Sequence, residues 1–263
     1  MKVKEVIALA ETLLNPADAE EWDAYGLQAG DGEAEVSRVL VTLDVTRNTL
    51  AEAASRGCGL IMAHHPVLFR PTRNITTGYG PEDVIFLAIQ MGIAIYCAHT
   101  PLDKSSAGTG RALAEALDLT EIRRINGSDY LWKGLLPAPP GDFPAYCMKK
   151  LGLTRVGLIG RPGNSPLAAV ASGSCAEFAT EAAAAGASVF VTGEVKYHDA
   201  LVLAGYPMQT LLIGHDSSEF PGILKWTKDL QRAADMVSYN LAFLCADTRA
   251  QPYTWMQDER NHE

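Results

Sequence analysis

The stretch Gly59–Pro66, which reads GLIMAHHP, organises the whole chain. Its apolar residues form a run of strand length, and the proline stops that run. His64 and His65 follow the run directly. Neighbouring side chains of a regular strand point to opposite faces, so the two imidazoles can share one site only if the backbone turns there, or if each binds a different metal ion. The pair indicates either a metal site at the carboxyl end of a strand or two unrelated surface histidines before a loop.

Composition narrows the class of protein. The 263 residues fit one large domain or two modest ones, and 48% hydrophobic with 20% charged residues is typical of a soluble globular protein. With a net charge of −9, the chain lacks the excess positive charge that attracts nucleic acid or an anionic membrane. No apolar run approaches the ~18 residues of a membrane helix, and five scattered cysteines indicate free thiols in a reducing compartment. We therefore expect a cytoplasmic protein with neither nucleic acid nor membrane as partner.

Predicted strands and helices alternate along the chain. Buried strands are predicted over 39–45, 60–63, 93–98, 188–192 and 208–213, with amphipathic helices between them. Such alternation predicts an α/β fold whose mixed sheets are flanked by helices. We expect two lobes, residues 1–125 and 126–263, intertwined as one unit.

Potential ligands follow three of the predicted strands. His99 and Asp103 come after the strand over 93–98, and His215 and Glu219 come after the strand over 208–213. Because Pro221 favours a first helical turn, we expect His215 at the strand end and Glu219 in the turn that enters a helix over 222–234. Imidazoles combined with carboxylates suit zinc, iron, manganese or nickel. The number of ligands predicts two such ions with a carboxylate between them.

Several motifs together resemble the Nif-three-like family, whose members are named GTP cyclohydrolase I type 2 homologues. They are Gly26–Gly30, Leu43-Asp44, His64-His65-Pro66, His99–Asp103, Thr192–Glu194, His198, Gly214-His215 and Glu219. The resemblance implies a two-lobed α/β protein with a dinuclear metal site in the cleft between the lobes, assembled as a homohexamer. It implies that His65 and Asp103 bind one ion, that His64 and His215 bind the other, and that Glu219 bridges both.

The chain departs from the family pattern near the expected site. Ala24 and Pro101 stand where the family tends to have asparagine, and Cys175 replaces a glycine. An asparagine that usually follows Asp103 by some residues is missing from 107–111. None of these changes removes a proposed ligand, but they bear on whether the pocket recognises the same molecule.

Other residues near these motifs have alternative roles. His99 is predicted to bind a metal, to shuttle protons or to line the cleft as a hydrogen-bonded residue. His198 and Glu194 are predicted to line the cleft as general acid or base, unless they are only a polar helix start. Asp44 either orients a histidine or caps a strand end. Trp22 and Tyr25 either wall the pocket or staple their loop to the core. Lys104 either meets a substrate phosphate or is simply exposed.

Two classes of function fit these predictions. The first is a metal-dependent hydrolase of an unidentified small-molecule or nucleotide-like substrate. The second is a non-catalytic metal-binding protein that serves assembly, metal handling or regulation. A GTP cyclohydrolase activity ranks third, because it rests on the family's name alone. The tail residues Tyr253, Trp255 and Met256 offer apolar surface for contacts between copies.

Overall fold

The computed structural model describes residues 1–125, 127–250 and 252–253. The tail residues Trp255 and Met256 lie outside this range. The strands of the described residues are β1 (Gly26–Ala29), β2 (Arg38–Thr42), β3 (Leu60–Ala63), β4 (Ala94–Cys97), β5 (Thr120–Arg124), β6 (Trp132–Leu135), β7 (Gly157–Ile159), β8 (Leu167–Val170), β9 (Val189–Thr192), β10 (Gln209–Leu212) and β11 (Ala242–Cys245). The α-helices are α1 (Val3–Glu11), α2 (Arg47–Ser55), α3 (Pro81–Gln90), α4 (His99–Lys104), α5 (Thr109–Ala116), α6 (Phe143–Leu151), α7 (Ala179–Ala184), α8 (Tyr197–Leu203) and α9 (His215–Met236).

These strands form two mixed sheets, which confirms the predicted fold class. The first sheet has the order β1-β4-β3-β2-β11, in which only β1 runs antiparallel to its neighbour. The second has the order β5-β6-β8-β9-β10-β7, with β8, β9 and β10 parallel at its centre. The central strands β3, β4 and β9 are buried along their whole length. Such continuous apolar runs are typical of parallel strands covered on both faces.

Two strands cross the predicted lobe division between residues 125 and 126. Strand β5 precedes the division but pairs with β6 in the second sheet. Strand β11 lies near the end of the described chain but pairs with β2 in the first sheet. The chain therefore returns to its first sheet with β11, and both strands pair across the predicted division.

Helix α9 corrects one local prediction. It begins at His215 and continues through Pro221 to Met236, so His215 and Glu219 lie one turn apart on the same helix. A proline inside a helix costs about 3 kcal/mol, because it removes a backbone hydrogen bond and crowds the preceding turn. Ile223, Trp226 and Leu230 are buried in the core of the first sheet, and fully burying such side chains contributes about 1.5–3 kcal/mol each. That packing outweighs the cost of the proline.

The loop predicted over 22–30 contains a strand. Residues 26–29 form β1, which pairs antiparallel with β4. Gly30 has a φ of +99°, and a β-carbon there would lie 2.5 Å from the α-carbon of Ala94. The close packing expected of this glycine is therefore present. Among the described residues, we find no helix with the length and apolar character needed to cross a membrane.

Candidate metal centre

The two adjacent histidines lie where the backbone bends after β3. The strand ends at Ala63, and His64 and His65 both lie in the bend. Their backbone amides donate to the carbonyl of Thr42 (3.1 Å), the last residue of β2, and to that of Leu43 (2.9 Å), which follows it. The two imidazole rings lie on the same side, with centroids 4.7 Å apart. The turn therefore lets consecutive residues serve one site.

Helix α4 carries the next two polar side chains directly after β4. The His99 amide donates to the carbonyl of His64 (3.0 Å), so α4 starts against the histidine bend. Asp103 follows one helical turn later, where its carboxylate accepts a hydrogen bond from the Thr109 hydroxyl. Ser172 in turn donates to that hydroxyl (2.7 Å). Thr109, at the start of α5, and Ser172, just after β8, thus hold Asp103 in place.

Helix α9 supplies His215 and Glu219 from the second sheet. The Ser218 hydroxyl accepts from the Gly173 amide (2.8 Å) and donates to the His215 carbonyl (2.7 Å). This links the first turn of α9 to the loop after β8. Gly173 has a φ of +74°, and a β-carbon there would collide with Glu219 Oε1. A glycine at this position leaves room for the carboxylate.

The Glu219 carboxylate is surrounded by three imidazoles. Its Oε2 lies 3.1 Å from His65 Nε2, and its Oε1 lies 3.2 Å from His215 Nε2 and 3.7 Å from His64 Nε2. Asp103 Oδ1 lies 3.6 Å from His64 Nε2. Ligand atoms bound tetrahedrally at 2.0–2.1 Å from zinc stand about 3.4 Å apart. These spacings therefore fit atoms that surround metal ions.

His64 tests whether the residues fit a metal. Its side chain is fully buried, and neither ring nitrogen has a hydrogen-bond partner among the described residues. A buried polar group without a partner costs about 1–3 kcal/mol. A cation between His64, Asp103 and Glu219 would satisfy Nε2 and compensate the two buried carboxylates. The donor set therefore fits a metal.

Burial and charge set the protonation of the site. Burial raises the pKa of the Asp103 carboxyl. Burial also favours a higher pKa for Glu219, but His215, His64 and His65 outweigh it and hold the pKa well below its usual range. For His65, burial lowers the pKa, yet the contacts with Asp44 and Glu219 reverse this and raise it to about 10. Glu219 is thus the ionised carboxylate at the centre, as a ligand must be.

The centre borders both a wide cleft and an aromatic surface. His65, Glu194 and His215 line the cleft, which has a volume of about 2010 Å³. The His99 ring contacts Trp22 and Phe69, with centroids 5.8 and 6.3 Å away. His65 and His215 are therefore accessible from the cleft, whereas the side chain of His64 is fully buried.

Comparison with known proteins identifies the family. The model of the family described as Duf34/NIF3 (NGG1p interacting factor 3) matches residues 1–252. The chain belongs to the Duf34/NIF3 family. A Streptomyces coelicolor relative named GTP cyclohydrolase 1 type 2 homolog is 28% identical over 96% of this chain and 94% of its own length. The Drosophila melanogaster NIF3-like protein 1 is 30% identical over 83% of this chain and 78% of its own length.

Solved structures show the same fold. A hypothetical protein from Staphylococcus aureus, SA1388, superposes with a TM-score of 0.91 at 24% identity, over 97% of this chain and 99% of that one. A Bacillus cereus protein related to NIF3 gives a TM-score of 0.88 at 21% identity, over 97% of this chain and 99% of that one. The Duf34/NIF3 fold is thus present throughout the described chain.

Distances in this Duf34/NIF3 chain favour a different partition of ligands from the one that the resemblance implied. His64, not His65, lies 3.6 Å from Asp103. The ligand atoms of His65, His215 and Glu219 all lie within 4.8 Å of one another. We therefore group His64 with Asp103 and His65 with His215, on either side of Glu219.

The two histidines predicted to be catalytic lie in different surroundings. A ring nitrogen of His99 lies within 4.8 Å of those of His64 and His65. His198 is exposed on α8, with its ring against Tyr197 at 5.5 Å. No contact within the described part of the chain joins His198 to the centre. The helix turns it toward solvent, so only His99 is brought to the site.

The remaining candidates divide between site and scaffold. Asp44 accepts from His65 Nδ1 (2.9 Å) and so orients that ring. Tyr25 donates to Glu11 (2.7 Å) and accepts from Tyr96, which staples its loop to the core. Lys104 is not an isolated exposed lysine, because its ammonium group pairs with the Glu20 carboxylate at 2.7 Å.

Sequence reasoning missed two supports of the site. Asp23 is fully buried and accepts from His99 Nδ1 (2.7 Å), the Thr100 amide (3.0 Å) and the Thr100 hydroxyl. Thr109 binds Asp103 as described above. The Trp22-Asp23 pair stands out in the sequence, but nothing there indicates that Asp23 contacts His99, which lies 76 residues away. Thr109 gives no signal in a single sequence, because a threonine at a helix start is usually only a cap.

Proposed function

We propose that this Duf34/NIF3 protein is a dinuclear metal-dependent hydrolase of a small-molecule substrate. One observation carries the proposal: the buried Glu219 carboxylate contacts histidines through both of its oxygens, and two of those histidines open onto a large cleft. A carboxylate shared between two ions is the arrangement of dinuclear hydrolytic sites. The cleft gives a substrate access to it.

Each ion would have three protein ligands. His64, Asp103 and Glu219 would hold one, and His65, His215 and Glu219 the other. Three protein ligands leave a position open for substrate or water, as in catalytic zinc sites. Imidazole and carboxylate suit zinc, iron, manganese or nickel, and two such ions supply Lewis-acid chemistry for hydrolysis.

His99 is the chain's own candidate for proton transfer. Its Nδ1 is fixed by the buried Asp23 carboxylate (2.7 Å), and one of its ring nitrogens lies within 4.8 Å of those of His64 and His65. A carboxylate bound to one ring nitrogen in this way holds the imidazole in a fixed orientation. Because the two ions already have three ligands each without it, His99 is free to accept a proton and return it to a leaving group.

The test combines metal content with a hydrolysis screen. Protein loaded with each of the four metals is assayed on phosphomonoesters, phosphodiesters, nucleotides including GTP, and cyclic amides. We expect turnover that a chelator abolishes. His99→Ala should retain its metals and lose about 10²–10⁴-fold in turnover, as expected for a positioned acid–base group.

His198→Ala is the matched comparison, since it makes the same change at an exposed histidine away from the centre. We expect it to behave as wild type. Loss of metal from His99→Ala would instead make His99 a ligand. Fully loaded wild type that hydrolyses none of the substrates would favour the second class, a metal-binding protein without catalysis.

Assembly and compartment belong to the same proposal. We propose a homohexamer in the cytoplasm, supported by the family resemblance and by exposed apolar side chains such as Leu201, Val202 and Met236. Light scattering that gives 28.3 kDa, the mass of one chain, would contradict the hexamer. The relatives' name is the support for a GTP cyclohydrolase activity, so GTP is part of the screen.

A further inference from the structure

Two aromatic side chains beside the metal centre remain exposed although they are large. Trp22 is 58% exposed and Phe69 is 52% exposed. Their rings contact each other with centroids 5.9 Å apart, and each also contacts the His99 ring edge-on. His99 is followed inward by His64, whose ring centroid lies 5.3 Å away. We call Trp22 and Phe69 the aromatic rim.

The segments that carry the aromatic rim are fixed by hydrogen bonds to buried or half-buried groups. Asp23, next to Trp22, is held by His99 and Thr100 as described above. Gln28 joins the two segments: its Nε2 donates to the Ala24 carbonyl (2.8 Å), and its Oε1 accepts from the amides of Val67 (2.7 Å) and Leu68 (3.3 Å). The rings are therefore presented in a fixed arrangement, at a cost in exposed apolar area.

We propose that the aromatic rim binds a planar aromatic ring of the substrate by stacking, and so selects the substrate class. The inference rests on the proposed hydrolytic site and adds the part of the molecule that lies beside the reacting group. Stacking suits exposed, preorganised rings, because every unsaturated ring offers a π-face whatever its hydrogen-bonding pattern.

The position of the rim favours substrate over a second copy of the chain. Both rings touch His99, whose ring also contacts those of His64 and His65, with centroids 5.3 and 5.8 Å away. A protein surface that covered the rim would also cover His99 and close the site from that side. A small planar ring can lie on Trp22 or Phe69 while an attached anionic group reaches the ions.

The test compares two probes that differ only in the ring. Benzylphosphonate and cyclohexylmethylphosphonate have the same charge and similar size, and their carbon–phosphorus bond is not a substrate for ester hydrolysis. Their dissociation constants are measured by titration calorimetry on the metal-loaded protein. We expect wild type to prefer the aromatic probe by about tenfold, the effect of stacking one ring.

Three variants locate that preference. Trp22→Ala should abolish it without weakening binding of the cyclohexyl probe, whereas Trp22→Phe should retain most of it. Tyr239→Ala removes an aromatic side chain of comparable exposure outside the site and should change nothing. Gln28→Ala, a positioning change, should reduce the preference by less than Trp22→Ala.

Several outcomes would overturn the proposal. Equal affinity of wild type for the two probes, no affinity for either, or a preference unchanged in Trp22→Ala would each do so. A smaller particle mass for Trp22→Ala in light scattering would assign the rim to contacts between copies instead. Because the readout is binding, a protein that hydrolyses nothing but prefers the aromatic probe would refute the proposed function and leave the rim intact.

Discussion

His64 and His65 are neighbours in the chain, yet the proposed metal centre assigns them to opposite halves. We call His64 and Asp103 the inner half, and His65 and His215 the outer half; Glu219 lies between them. Both ring nitrogens of His65 contact carboxylates, at 2.9 and 3.1 Å, and its side chain is partly exposed. His64 is fully buried, and both its nitrogens lack a hydrogen-bond partner among the described residues.

On the proposed centre, this difference means that the two halves would depend on metal to different degrees. The protein alone can orient the outer half, because Asp44 and Glu219 hold His65 without an ion. The inner half contains polar atoms without a partner among the described residues, at a cost of about 1–3 kcal/mol for an unpaired group. The inner half should therefore be destabilising without metal, and the outer half should not.

The largest effect is expected from Glu219→Gln, which removes the charge that both halves share. We expect metal content to fall from about two ions per chain to less than one, and turnover to fall by more than the ~100-fold typical of losing a ligand's outer hydrogen-bond partner. Elemental analysis after desalting measures the first effect. Glu194→Gln is the control, since Glu194 makes only a 3.5 Å contact with His215. Two ions retained by Glu219→Gln would show that the halves do not share this residue.

Replacing each histidine by leucine should shift metal-free stability in opposite directions. His64→Leu removes unpaired nitrogens from the interior and should stabilise the chelated protein by about 1–3 kcal/mol. His65→Leu leaves Asp44 and Glu219 without their partner and should destabilise it by a similar amount. Thermal unfolding in a chelator should show this as shifts of about 2–4 °C per kcal/mol. Equal shifts of the same sign would remove the distinction between the halves.

Asp44→Asn should affect the outer half alone. It weakens the hydrogen bond that orients His65, and such changes typically reduce metal affinity by about 10–100-fold. Competition titration with a chelator should therefore resolve one weakened ion and one unchanged ion. If both ions weaken together, the two halves are too tightly coupled for the comparison to hold.

The smallest effect is expected from a change at Glu52, which holds the segment before Arg249 in the wall of the cleft. Glu52 accepts from the amides of Asp247 and Thr248, just before Arg249 pairs with Asp216 at 2.9 Å. Burial opposes ionisation of Glu52, but these bonds and Arg56 outweigh it and lower the pKa to about 2. A lowered pKa adds stability above the ordinary value of 4.5, and that stability is lost as the pH falls toward 2.

Glu52→Gln should thus cost about 1–2 kcal/mol at pH 7, after allowance for solvent screening. The difference from wild type should shrink steadily between pH 4.5 and 2, as measured by denaturant unfolding. A difference that is independent of pH would mean that charge at Glu52 does not hold this segment.

Sequence patterns predicted the helices and strands better than the positions where one element joins or pairs with another. The sequence predicts a helix from Phe143 to Leu151, and the helix has these bounds, because its apolar spacing and the glycine that follows it act locally. The start of α9 was missed, because Pro221 is an unfavourable local signal that only tertiary packing overrides. Strand β5 was also missed, since its residues Thr120–Arg124 are largely polar and it is defined by pairing with β6.

In the candidate site, too, local features could be predicted and features set by tertiary contacts could not. Histidines at predicted strand ends could be found in the sequence, because strand ends of an α/β sheet meet at one edge. Their partition into halves could not, since it depends on the backbone bend at His64 and His65. Asp23 contacts His99 across 76 residues, and a single sequence carries no signal for such a contact. Thr109 lies only six residues after Asp103, but a threonine at a helix start is usually only a cap.

The most direct test of a shared, two-halved centre is anomalous diffraction from crystals of the metal-loaded protein. We expect two peaks about 3.5–4 Å apart, one against His64 and Asp103 and the other against His65 and His215, with Glu219 between them. A single peak, or two peaks that do not share Glu219, would contradict this account of the centre.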